Sequence, residues 1–230
     1  RKLKNLRNSL IETFINKKID LFIGIDSPDF NMGIHKALKK KNINKNIQVV
    51  SPSVWGWRQN RIKSIQANID LTLCLFNFED NFYKKEGHKS FHLGHPFSTL
   101  NKIDRVDVLK KYNLDEDKKY LSVLPGSRAS ELQDMLPVYK EFIKEHSQEN
   151  NEYLYLIPAA DKKLMEVLKK SFHESNLPVL IKENSMREFL SISELSIVTS
   201  GTASLESAVL GCPPIICYKT NFINYSIISR

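Results

Sequence analysis

Short apolar runs rich in β-branched and aromatic residues recur along the chain at 20–25, 47–50, 70–76, 90–93, 120–124, 153–157, 179–181, 195–199 and 214–218. Most are bounded by Gly, Pro, Asn, Asp or Ser, the punctuation expected around strands. Between most of them the apolar spacing lengthens to three and four residues, the period of an amphipathic helix, most clearly over 1–18, 32–42, 58–67, 103–112, 129–147, 161–174 and 202–210. Strand and helix patterns in alternation predict parallel βαβ units and an α/β fold. The last helical pattern stops at Gly211, with Pro213 and Pro214 just beyond. The first, carried by Leu3, Leu6, Leu10 and Phe14, has no strand ahead of it. With Arg1 at the start and no stop signal after Asn224, a fragment lacking both ends of a longer protein is expected.

After Gly94-His95-Pro96 the pattern breaks into a polar, irregular stretch before helix and strand signals resume. That break predicts two Rossmann-like domains with parallel sheets, 1–98 and 99–230, each incomplete. A ligand cleft is expected between them, at the carboxyl ends of the strands.

Composition narrows the class. With 230 residues, 41% hydrophobic content, 8 Gly and 9 Pro, the chain is neither disordered nor low-complexity. It has no apolar run of about 18 residues and no basic-then-apolar leader, so a cytoplasmic protein is expected. Cys74, Cys212 and Cys217 lack C-x-x-C spacing and read as buried reduced thiols rather than metal ligands. The net charge of +8 is unevenly spread: residues 1–65 hold 14 Lys and Arg against 4 Asp and Glu, and the remainder holds 20 against 22. A basic first quarter suits a surface facing phosphate, whether of nucleic acid, anionic lipid or a phosphorylated substrate, or it is a solvated helix face.

Candidate chemistry sits at strand ends. Asp26 closes the first strand and is followed by a Ser-Pro turn, which makes it the candidate general base. Asp29 and Asn31 follow as substrate-contacting candidates, each equally able to cap the next helix. Trp55, Trp57 and Arg58 form a rigid aromatic and cationic surface for sugar, lipid interface or phosphate, unless the tryptophans fill a core between domains. His95 either stabilises charge at the cleft or caps its turn. Gly126, Ser127 and Arg128 lead from a strand into a helix, as Ser200, Gly201 and Thr202 do again. Small residues at a helix start offer free N–H groups to a phosphate, and Arg128 adds a charged fork. Glu206, one turn beyond Thr202, suits a ribose diol or is a solvated glutamate.

Taken in order, Ile25–Asn31 (IDSPDFN), Ser51–Arg58 (SPSVWGWR), Leu93–Pro96 (LGHP), Leu124–Arg128 (LPGSR) and Ser200–Glu206 (SGTASLE) resemble the lipid-A-disaccharide synthase family along the whole chain. The resemblance implies a GT-B-like pair of domains that transfers 2,3-diacylglucosamine from UDP-2,3-diacylglucosamine to 2,3-diacylglucosamine 1-phosphate (lipid X). The products would be the β-1,6 disaccharide 1-phosphate and UDP, formed with inversion, without metal or cofactor. It gives Asp26 the proton of the acceptor 6-hydroxyl, Arg128 and the two small-residue turns the UDP diphosphate, and Glu206 the ribose. The basic quarter would face the acceptor phosphate or an anionic inner-membrane surface of a Gram-negative-type bacterium, with the protein peripheral to it and no role for nucleic acid. Two rivals remain: a UDP-N-acetylglucosamine 2-epimerase-like isomerase on the same fold, and a non-catalytic binder of anionic surfaces. The family's glycine-containing opening motif and its C-terminal portion are absent from the 230 residues.

Overall fold

In the computed structural model the described residues are 2–42, 45–56, 58–173 and 175–219. The chain divides after Pro96 into two compact units. In the first, β1 (Leu21–Ile25), β2 (Lys45–Val49), β3 (Leu71–Cys74) and β4 (Ser90–His92) form a parallel sheet in that order. Its helices are α1 (Lys2–Asn16), α2 (Pro28–Lys41), α3 (Ile62–Asn68) and α4 (Asn77–Lys85). In the second, β5 (Lys119–Leu124), β6 (Tyr153–Ala159), β7 (Val179–Glu183), β8 (Leu195–Thr199) and β9 (Pro214–Cys217) form a parallel sheet ordered β7-β6-β5-β8-β9. It carries α5 (Arg105–Tyr112), α6 (Ala129–Glu149), α7 (Lys162–Phe172), α8 (Met186–Ile192) and α9 (Thr202–Val209).

The α/β reading holds, with local differences that have physical causes. Helix α2 begins at Pro28, four residues before the apolar period suggests, because a proline at the first helical position has its φ preset and no N–H to strand. Two helices lack a clear sequence signal. Helix α4 is charged, and its start is fixed by Glu79, whose carboxylate accepts the Leu75 and Phe76 N–H groups at 3.1 and 3.0 Å. Helix α8 has seven residues, too few to display a period.

The second sheet is covered on both faces. Leu121, Val123, Tyr155 and Ile157 pack with Tyr139 and Ile143 of α6 and Leu164 and Leu168 of α7. Tyr120 and Leu156 pack with Val108 and Leu109 of α5 and Phe189 of α8. The first sheet is asymmetric. Phe22 packs with Ile34 and Leu38 of α2, and Cys74 with Ile62, Ile65 and Tyr83. The alternate residues of β1, Leu21, Ile23 and Ile25, remain 46%, 47% and 68% exposed. Among the described residues nothing pairs with the outer edge of β1.

Two of the three thiols, Cys74 and Cys212, are buried as expected, whereas Cys217, at the end of β9, is only partly buried. Cys74 and Cys212 are fully buried, and desolvation pushes the Cys74 thiol up to about 12 and raises that of Cys212.

Candidate functional site

The carboxyl ends of β1 and β2 carry most of the residues singled out in the first unit. Asp26 follows β1 directly and is exposed, with φ 51°; Ser27 follows at φ 38° and Val50, after β2, at φ 68°. L-residues avoid this left-handed region at a cost of roughly 1–2 kcal/mol each, and a β-branched Val is an outlier there. Buried amides hold these turns. The Asp26 carbonyl accepts from Asn31 Nδ2 at 2.7 Å and from Gln48 Nε2 at 3.0 Å, and the Ile25 carbonyl accepts from Asn31 Nδ2 at 3.3 Å. Gln48 Nε2 also reaches the Val49 and Val50 carbonyls at 3.0 and 3.3 Å. Asn31 is therefore buried inside the first turn of α2, with its amide turned to the loop; the helix N-cap is Ser27, so neither Asn31 nor Asp29 caps it.

Asp29 is exposed in that same turn and pairs with Arg61 at 2.8 Å. A cavity of about 360 Å3 opens beside it. Arg7, Lys36 and Arg61 stand around the cavity with Asp29 as the single carboxylate among the described lining residues, over an apolar floor that includes Met32, Val54 and Ile65. Gly33 makes room for Arg7, whose side chain lies 2.8 Å from where a Cβ at position 33 would stand.

After β2, Val54 is buried while Trp55 is exposed and meets the edge of Phe78, with ring centroids 4.8 Å apart. Phe78 stacks on Phe76, and Phe76 on His95, at 5.6 and 5.3 Å. A row of four rings thus joins Trp55 to His95, and two of its members, Phe76 and Phe78, are missed by sequence reasoning although they lie where the apolar run 70–76 ends. Arg58 is exposed at φ 56°, opening the 3-10 turn Gln59–Arg61. Trp57 lies outside the described residues.

In the second unit, β5 and β8 are neighbours and the chain runs outward from them in opposite directions, so the turns that follow them flank the switch point of the sheet. Gly126 has φ 101°, and a Cβ there would lie 2.7 Å from Glu131 Oε2. The Glu131 carboxylate accepts the Ser127 and Arg128 N–H groups at 3.2 and 3.3 Å and the Arg128 guanidinium at 2.9 Å. A carboxylate of the chain itself thus sits on the donors that the sequence offers to an anion. Beyond β8, Ser200, Gly201 and Thr202 are exposed at the start of α9. Glu206 is buried rather than solvated and lies 3.5 Å from the Arg187 guanidinium, a partner on α8 that sequence spacing could not reveal.

The family described as lipid-A-disaccharide synthetase matches residues 1–230. The chain is 36% identical over 228 residues to lipid-A-disaccharide synthase 2 of Legionella pneumophila (strain Philadelphia 1), covering 97% of the chain and 59% of the relative. It is 35% identical over 244 residues to lipid-A-disaccharide synthase of Acinetobacter baylyi, covering 99% and 61%. The chain thus spans about three fifths of the length of the curated relatives it matches. Among solved structures, an S. aureus MnaA–UDP co-structure superposes with a TM-score of 0.64 at 12% identity, covering 99% of this chain and 66% of that one. UDP-GlcNAc 2-epimerase from Neisseria meningitidis bound to UDP-GlcNAc gives 0.61 at 13%, covering 98% and 67%. At such identities these structures speak for the two-sheet fold alone, whereas the family match spans residues 1–230 and the relatives' identity extends over nearly the whole chain: the chain belongs to the lipid-A-disaccharide synthetase family.

Proposed function

We propose that the whole protein transfers 2,3-diacylglucosamine from UDP-2,3-diacylglucosamine to lipid X with inversion, releasing UDP. The observation that carries this reading is Asp26: an exposed carboxylate at a strand end, its backbone clamped by buried amides. The Asp26 carboxylate takes the proton of the acceptor 6-hydroxyl as that oxygen attacks the anomeric carbon. The bond from the anomeric carbon to the diphosphate oxygen breaks, and UDP leaves with its electron pair. The turns after β5 and β8 receive the diphosphate through their N–H groups and the Arg128 fork, with no need of a metal or cofactor. The diphosphate displaces the Glu131 carboxylate from the Ser127 and Arg128 donors in doing so. Glu206 holds the ribose, with Arg187 beside it.

The cavity ringed by Arg7, Lys36 and Arg61 suits the phosphate of an anionic amphiphile, which lipid X is, and its floor suits acyl carbon. Trp55, Phe78, Phe76 and His95 offer stacking faces to a sugar or an apolar edge to an acyl chain. Asp29, Trp57 and Arg58 complete the acceptor side. The basic first quarter lies against the anionic inner-membrane surface, the protein being cytoplasmic and peripheral; among the described residues no helix is long and apolar enough to cross a membrane.

The test is mass-spectrometric detection of tetraacyl-disaccharide 1-phosphate from UDP-2,3-diacylglucosamine and lipid X, using the whole protein and its Asp26→Asn variant. Product from the parent and a loss of roughly 100-fold or more in the variant are expected for a general base. Conversion of UDP-GlcNAc without any acceptor, and no disaccharide, would replace this reading with the isomerase.

A further inference from the structure

We infer that Gln48 is a positioning residue for Asp26, orienting the base through its backbone, with His35 fixing the orientation of Gln48 in turn. The inference rests on the reading of Asp26 as the base. The Asp26 carboxylate is exposed, but its carbonyl is tied inward by Gln48 Nε2 at 3.0 Å and Asn31 Nδ2 at 2.7 Å. The same Gln48 amide reaches the Val49 and Val50 carbonyls, so one side chain joins the turn that carries Asp26 to the turn that opens Ser51–Arg58. Both turns hold non-glycine residues at positive φ, at Asp26, Ser27 and Val50. Such conformations persist only where the surroundings over-determine them, and they cluster at functional sites. Here the over-determining groups are buried amide donors, since Gln48 is 1% exposed.

The direction in which Gln48 faces follows from chemistry. Carbonyls only accept, so the amide NH2 faces them and Oε1 is left to His35 Nε2 at 3.1 Å. His35 Nε2 therefore carries the proton. His35 is fully buried, and among the described residues its Nδ1 has no hydrogen-bond partner. Among the described residues the one hydrogen bond of the ring is that to Gln48, so this desolvated histidine serves to fix which end of the amide meets the turn. Gly24 completes the arrangement: a Cβ there would lie 2.8 Å from Gln48 Oε1 and 2.9 Å from Asn31 Nδ2. A base must come within about 2.6–3.2 Å of the proton it takes, and a misplacement of about 1 Å costs roughly 100-fold in rate. A clamp on the Asp26 carbonyl acts on that distance without touching substrate.

The experiment uses the whole protein with UDP-2,3-diacylglucosamine and lipid X, comparing wild type, Gln48→Leu, Asp26→Asn and the double variant. Gln48→Leu keeps the volume and removes the donors. It is expected to lower kcat roughly 10- to 100-fold while leaving KM for both substrates within about threefold. In the Asp26→Asn background the same change should cost no more than about twofold, because the carboxylate it orients is gone. Gln48→Glu, which keeps both the shape and the acceptor for His35, stands in if the leucine variant does not fold, with the same expectation. A kcat within twofold of wild type in the single variant overturns the inference, as does an equal further loss in the Asp26→Asn background, the mark of general structural damage. Asp26→Asn at the wild-type rate removes the base reading and this inference together; a slow Asp26→Asn with an additive Gln48→Leu removes this inference alone.

Discussion

Lowering the pH from 7.5 to 5.0 should loosen the first unit selectively, through two buried histidines. His35 and His88 are 0% and 6% exposed. Burial lowers the pKa of each below the ordinary 6.5; the neighbouring side-chain amides of Gln48 and Asn46 and the charge of Asp70 offset this in part at His35, as does Asp70 at His88. A base with a depressed native pKa binds fewer protons when folded than when unfolded. Its contribution to stability is complete above about pH 6.5 and is lost as the pH falls below that value. One proton per histidine sets a ceiling of about 1.4 kcal/mol per pH unit each, about 2.7 for the pair. Two carboxylates of the unit, the partly buried Asp70 and the buried Asp80, act lower. At Asp70 burial is outweighed by Lys39 and the Asn46 N–H, and at Asp80 by Lys84 and Ser90, so both sit below the usual 3.8 and their contribution fades only as the pH falls below about 4. Between pH 6.5 and 5 the slope therefore belongs to the histidines. Hydrogen exchange by mass spectrometry, corrected for intrinsic rates, should show Lys45–Val49 and Leu71–Cys74 losing protection over this range relative to Lys119–Leu124. A His35→Gln, His88→Gln double variant should flatten the difference. Protection that does not change with pH, or a slope that survives in the double variant, would refute the reasoning.

Two further outcomes follow from particular contacts. The Tyr139 hydroxyl bonds Thr199 Oγ1 at 2.9 Å with both residues buried, so Tyr139→Phe should cost the second unit about 1–1.5 kcal/mol in urea unfolding, and a cost near zero would mean that the bond is not made in solution. On the proposed function, Arg61→Ala should raise KM for lipid X several-fold and leave KM for the UDP-sugar within twofold; an equal rise in both would remove the cavity as the acceptor's phosphate site.

Much of the fold is legible in sequence because each β-rich run in this chain is short and sharply bounded. Helix α2 shows the limit of periodicity. Its buried face runs Asn31, Ile34, His35 and Leu38, a spacing that places His35 inside, yet nothing local tells what a buried histidine would meet. Strand β2 is harder. In Asn46-Ile47-Gln48-Val49 alternation puts the apolar pair on one face, which hydropathy would bury, whereas the structure buries Asn46 and Gln48. Those amides are satisfied by carbonyls from the turns after β1 and β2, by His35 and by Asn68, partners set by tertiary packing. Asp26 is legible as a strand-end carboxylate; the clamp on its backbone is not. Likewise Glu206 is legible from its spacing to Thr202, and its Arg187 partner is not.

The lopsided first sheet bears on how residues 1–96 can be handled as an isolated piece. Leu21–Ile25 carries no charge, and its outer edge and one apolar face stay open among the described residues. A strand of that kind is a template onto which a second molecule can add its own strand, and none of the usual safeguards, a lysine, a proline or a bulge, interrupts these five residues. Residues 1–96 prepared alone would thus be prone to self-association through Leu21, Ile23 and Ile25. Apparent substrate affinity measured on that piece would report on aggregates as much as on the site.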